Sequence, residues 1–186
     1  MPLSPPDPRR HLHTRLVTCQ GYKRDDGLWD IEGRITDCKT YDFPNHDRGG
    51  VVAAGEAVHH MEVRLTIDDG RVIRAAEVAI DFAPFSVCAA IAPDFSGLVG
   101  MSLGAGFKKQ LLAKFGGTRG CTHVVELMGP IATTAFQTMA GQSGQQPDRR
   151  EKAEQRPPVI DRCHALAADG EVVARRWPQF AVPRRD

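Results

Sequence analysis

Strict alternation between residues 61 and 82 constrains the fold of this chain more than any other feature. Met61, Val63, Leu65 and Ile67 share one parity, and Val72, Ala76, Val78, Ile80 and Phe82 follow after Asp68-Asp69-Gly70. Side chains of a strand alternate between faces with period two, so each run presents one apolar face. Two such runs joined through an Asp-Gly turn read as a β-hairpin. A lone hairpin is not stable in water, so this one needs more strands and a cover for its apolar face.

The strands come from upstream. His11 to Cys19 alternates, with Leu12, Thr14, Leu16 and Thr18 on one side and His13, Arg15, Val17 and Cys19 on the other. Leu28 to Tyr41 alternates again: Trp29, Ile31, Gly33 and Ile35 face one way, and Asp30, Glu32, Arg34 and Thr36 the other. Pro44 to Gly55 reads as a polar, Gly-rich loop. The first half is therefore an antiparallel meander of three or four strands.

The cover comes from downstream, where the period changes. Leu98, Val99, Met101, Leu103, Phe107, Leu111, Leu112 and Phe115 follow Ser96, an N-cap type, and Gly116-Gly117 ends the pattern. A second helix is expected from near Thr122, with Val124, Met128, Ile131, Ala135 and Met139 on one stripe and a kink at Pro130. Strands followed by helices give an α+β layer: an antiparallel sheet of three to five strands packed on one face by two to three helices. The expected boundaries are an extended N-terminal arm at 1–10, an α+β core at 11–140, a mobile linker at 141–158 and a strand or hairpin at 159–186. That last element returns to the core and turns at Asp169-Gly170.

Charge and hydropathy narrow the functional classes. A formal net charge of +1 is too small for binding driven by nucleic-acid phosphates. No apolar run of about 18 residues marks a membrane span. The Pro-rich first ten residues lack the apolar stretch of a signal peptide, so the expected location is the cytoplasm. In that compartment the five cysteines are thiols, free for packing, nucleophilic chemistry or metal binding. No phosphate-binding loop, dinucleotide fingerprint, nucleophile elbow or H-E-x-x-H pattern occurs.

What remains is a scattered thiol and imidazole set: His59-His60, Cys88, Cys121-Thr122-His123 with Glu126, and Cys163-His164. Thiolate, imidazole and carboxylate form a ligand set that suits zinc or iron. Cys121 follows a Gly-rich turn and precedes a helix, where free N–H groups favour a thiolate. The competing view is a small thiol packed at a tight turn. His123 and Glu126 share a helix face and either bind one ion together or form a solvated pair. His59 and His60 point to opposite faces of their strand. If Met61 faces the core, His59 looks inward and His60 outward. Cys88 is a partner for Cys121 or simple core. Cys163-His164 either closes the site or only begins a strand.

A second set is ionic. Asp25, Asp26, Asp30, Glu32 and Asp37 surround Trp29, with Arg15, Arg24, Arg34 and Lys39 nearby. Paired carboxylates serve acid–base work or hard cations. More often such a series is the wet face of a half-buried sheet.

Several segments carry a resemblance: His13-Thr14-Arg15, Arg24 through Glu32, Thr36-Asp37-Cys38-Lys39, His60-Met61, Arg64 through Asp68, Pro84 with Cys88, and Gly120-Cys121-Thr122-His123. On these the chain resembles a bacterial family of unknown function, DUF2889, over nearly its whole length, and the resemblance implies no activity. The order of elements is also similar to U-type iron–sulfur scaffold (IscU/NifU-like) proteins, with His59 or His60, Cys88 and Cys121 at the matching positions. The first scaffold cysteine is missing here, and the histidine follows the last cysteine. That likeness implies a zinc or nascent-cluster site.

The leading expectation is one zinc or iron ion held by His59, Cys88, Cys121 and His123. Asp30, Glu32 and Glu126 are then catalytic candidates, and Arg15 and Arg64 hold a small polar substrate. The rival is a carrier or assembly factor for metal or an iron–sulfur cluster, which hands its cargo to a partner protein. A third expectation is a metal-free ligand-binding or interaction domain. Neither nucleic acid nor membrane is an expected partner, and a homo-oligomer is compatible with all three.

Overall fold

The computed structural model describes residues 2–140, 142 and 155–183. Most of the expected linker, 141 and 143–154, lies outside the described residues. Two compact units divide the chain, 1–142 and 143–186.

In the first unit, four strands form one antiparallel sheet: β1 (His13–Lys23), β2 (Trp29–Lys39), β5 (Ala57–Ile67) and β6 (Ile73–Phe82). The order β1-β2-β5-β6 is the expected meander. Between β2 and β5 the polar loop contains a small ribbon, β3 (Phe43–Asn45) with β4 (Gly50–Val52), around a 3₁₀ turn at His46–Arg48. Asn45 caps that turn by accepting from the Arg48 N–H at 3.0 Å. Its amide donates to the Pro84 carbonyl, and Asp47 accepts from the Ser86 N–H, so the ribbon is tied to the chain leaving β6.

The alternation works as read. Trp29, Ile31 and Ile35 on β2 and Met61, Val63, Leu65 and Ile67 on β5 are all buried. The hairpin turn differs in detail. Asp68 closes it, pairing its N–H with the Val72 carbonyl and accepting the Val72 N–H on its side chain. The left-handed position falls on Arg71 (φ 61°) rather than on Gly70.

Helix α2 (Thr122–Met139) begins where its sequence placed it and continues through Pro130. Its stripe of Val124, Leu127, Met128, Ile131 and Ala135 is buried. Two glycines let it lie close to the sheet. A Cβ on Gly33 would stand 2.6 Å from the Ile131 side chain, and one on Gly21 would stand 1.9 Å from Thr138 Oγ1.

The expected helix from Ser96 to Phe115 is corrected. Residues Ser86–Leu98 form 3₁₀ turns, and only α1 (Phe107–Phe115) is α-helical. Gly100 and Gly106 adopt φ of 87° and 83°, which no right-handed helix accommodates. The intervening backbone instead bonds to the start of β6, through Ile73 N–H to Met101 O and Leu103 N–H to Arg71 O. The apolar residues still reach the core: Phe95 and Phe115 stack with centroids 4.7 Å apart.

The second unit holds α3 (Glu171–Arg176) and 3₁₀ turns at His164–Leu166 and Pro178–Phe180 around Ile160, Ala168 and Val173. The strand or hairpin expected there is absent among the described residues. Gly170 does not turn a hairpin but caps α3, which carries Glu171 in its first turn and Arg175 and Arg176 in its last, as the helix dipole favours. Among the described residues no helix is long and apolar enough to cross a membrane.

Candidate metal centre

The inner face of β2 runs Trp29, Ile31, Gly33, Ile35 and then Asp37, a carboxylate where the pattern calls for an apolar side chain. Asp37 is 1% exposed. Pairing register decides what meets it. Across β1 its partner is Arg15, and across β5 its partner is His59. His13 lies two residues before Arg15 on the same face. The first turn of α2 brings His123 and Glu126 down from the helix layer.

The distances are short. Arg15 donates from Nε to Asp37 Oδ1 and from Nη2 to Oδ2, each at 2.7 Å, and from Nη1 to Glu126 Oε2 at 2.9 Å. His13 Nε2 lies 3.3 Å from Oδ1. On the other oxygen, His59 Nδ1 lies at 3.1 Å and His123 Nε2 at 3.7 Å from Oδ2. The two imidazole rings are 3.9 Å apart, tilted by 32°. His59 Nδ1 is buried and has no hydrogen-bond partner, so its approach to Oδ2 lacks the alignment of a shared proton. One donor atom from each of Asp37, His59 and His123 falls within 4.8 Å of the others, a group able to hold a metal ion.

The protonation states suit ligands. Burial opposes ionisation of Asp37, but the guanidinium of Arg15 outweighs it and holds the carboxyl below its usual range. Burial pushes His59 down, helped by the charges of His123 and Arg15 and opposed by Asp37. Burial and then Arg15 push His123 down, against Asp37 and Glu126. At neutral pH the set is one carboxylate and two neutral imidazoles, the forms that metal coordination requires.

Of the four expected ligands, the structure brings His59 and His123 together. Cys88 lies half-buried in the 3₁₀ turns after β6, outside the group. Cys121 occupies the N-cap of α2 with its Sγ 4.0 Å from His123 Nδ1, on the imidazole nitrogen other than the one nearest Asp37. Glu126 stands 54% exposed on Arg15. His60 points to the opposite face of the sheet, with Nδ1 2.9 Å from Thr36 Oγ1. Cys163 and His164 belong to the second unit.

Asp30, Glu32 and Arg64 also lie on that outer face. Asp30 accepts from Thr66 Oγ1 at 2.6 Å, and Arg64 pairs with Glu32 at 2.8 Å and Glu77 at 3.4 Å. A cavity of about 240 Å³ opens there. Its charged lining, which includes Arg34 with Glu62, is mutually paired and contains no imidazole or thiol. The ligand chemistry lies on the inner face instead. Sequence reasoning missed Asp37 as a ligand, although the parity of Trp29, Ile31 and Ile35 extends to it.

Residues 13–137 match the family described as Protein of unknown function (DUF2889), and the chain belongs to that family. Arg15, Asp37, His59, His123 and Glu126 all fall inside the matched span. No curated protein and no solved structure matches the chain. The likeness to U-type scaffolds finds no support, and the metal-competent group contains no cysteine.

Proposed function

We propose that this domain binds one divalent transition-metal ion, zinc or iron, through Asp37, His59 and His123. One observation carries the reading: a buried imidazole nitrogen 3.1 Å from a buried carboxylate oxygen but out of hydrogen-bond alignment with it, with a second imidazole beside both. An orphaned buried nitrogen is costly unless something completes it. Two histidines and one carboxylate are a recurring donor set for iron and zinc, and they leave coordination positions open. Such an ion polarises a bound oxygen or lowers the pKa of bound water. Arg15, His13 and Glu126, all partly exposed, flank the group and would line the approach of a small polar substrate.

The absence of cysteine from the group favours a mononuclear ion over an iron–sulfur cluster, which is held mainly by thiolates. A cargo role remains the alternative, favoured by a group that lies near a surface rather than deep in the core.

The test is elemental analysis of untagged protein, prepared with and without air, beside His59→Ala. Near-stoichiometric zinc or iron that is lost in the variant is the expected result. Wild-type protein that takes up neither ion, even from an anaerobic solution of Fe²⁺ or Zn²⁺, overturns the reading.

A further inference from the structure

We infer that Arg15 is the resident counter-cation of the site, which yields Asp37 to an incoming metal ion by shifting onto Glu126. The inference rests on the proposed metal reading and adds how the site is guarded. Asp37 is 1% exposed, and a buried carboxylate without a cation is strongly unfavourable. Arg15 supplies that cation through two hydrogen bonds of 2.7 Å, one to each carboxylate oxygen. The metal-free site is therefore a closed ion pair in which a divalent ion must compete for Oδ2.

The geometry provides a route for the exchange. The same guanidinium already donates from Nη1 to Glu126 at 2.9 Å, and the Arg15 side chain is 39% exposed. Moving from Asp37 toward Glu126 keeps an ion pair, and solvent takes up the freed N–H groups. Glu126 stands on α2 three residues after His123, so the receiving carboxylate and the second imidazole share one face of the helix. His13 Nε2, 3.3 Å from Oδ1, remains beside the oxygen that the metal does not need. A metal ion and a guanidinium on one carboxylate repel each other, and this repulsion makes Arg15 a brake on affinity rather than a support for it. Arg15 is a positioning residue in this scheme.

A Co²⁺ titration followed by calorimetry and by visible absorption tests the scheme on the full chain. The variants are Arg15→Gln, Glu126→Gln, the double variant, Arg15→Lys and His59→Ala. Arg15→Gln is expected to bind Co²⁺ about tenfold more tightly than wild type. Glu126→Gln is expected to bind about threefold more weakly in the wild-type background and to change nothing once Arg15 is Gln. If Arg15→Gln does not fold, Arg15→Lys carries the test. Its single ammonium cannot bridge both Asp37 oxygens and Glu126 together, so tighter binding than wild type is expected there as well. Equal or weaker binding in the folded Arg15 variant overturns the inference. So does a Glu126→Gln effect that persists without Arg15. If wild type and His59→Ala both fail to bind Co²⁺, the metal reading itself falls; if only His59→Ala fails, that reading stands whatever Arg15 does.

Discussion

The two faces of β2 hold the same kinds of side chain under opposite conditions. On the outer face Glu32 and Arg34 meet Arg64 and Glu62 in a lattice open to water, with Asp30 held beside it on the buried Thr66 hydroxyl. On the inner face a single carboxylate, Asp37, meets Arg15, His13, His59 and His123 at the end of an apolar row. The outer lattice has more charges, and those of Glu32, Arg34, Glu62 and Arg64 are well exposed. The inner group has few, and Asp37 and Arg15 bear on both buried imidazoles. Burial, not the count of ionisable residues, makes a cluster chemically committed.

The comparison breaks most sharply at Asp37. Asp37→Ala should abolish metal uptake and lower stability by about 2 kcal/mol, since Arg15 loses both of its hydrogen bonds to the carboxylate. Urea unfolding and elemental analysis read both effects; a variant as stable and as metal-loaded as wild type would make the two faces equivalent. Gly33→Ala attacks the inner face without touching a charge. Its new Cβ would stand 2.6 Å from Ile131, and such overpacking should cost about 1–2 kcal/mol and weaken metal binding, because α2 carries His123.

Protonation sharpens the contrast next. His59 and His123 have folded-state values pushed below those of a free imidazole. The unfolded chain therefore binds more protons, and the stability they confer is full above the unfolded imidazole value and declines as pH falls below it. Metal-free wild type should lose stability from pH 7 to 5, and His59→Asn should show a shallower loss; an identical slope would remove His59 from the account. The smallest effect belongs to the outer face. Glu32→Gln should change stability by less than about 1 kcal/mol, with a salt-sensitive part, and leave metal content unchanged. A loss of metal in Glu32→Gln would show that the faces are coupled.

Much of this was legible from sequence. Alternation marked the four long strands and the apolar faces of β2 and β5, and the helical stripe marked α2. Met61 parity placed His59 inward and His60 outward, as found. Left-handed glycines hid the break before α1, because an apolar count does not register backbone handedness. The ribbon of β3 and β4 was hidden in a stretch rich in turn residues.

At the site, His59, His123 and Cys121 were all read from their positions, and Cys121 does sit at the start of α2, yet neither it nor Cys88 joins the Asp37 group. Asp37 was grouped with its acidic neighbours rather than with its parity. Its partners depend on the register of β1 and β5, a non-local property that no single segment carries.

The glycine notch under α2 gives the helix the character of a lever. Its seat is at Gly33, opposite Ile131, while His123 rides at the near end. At 1.5 Å per residue the arm between them is about 12 Å long. A tilt of about 5° at the seat would then carry the His123 end by about 1 Å, while coordination distances tolerate only about 0.2 Å. Whatever steadies or rocks α2 on its fulcrum, however far from the imidazole, thereby gates the spacing at which an ion can be gripped.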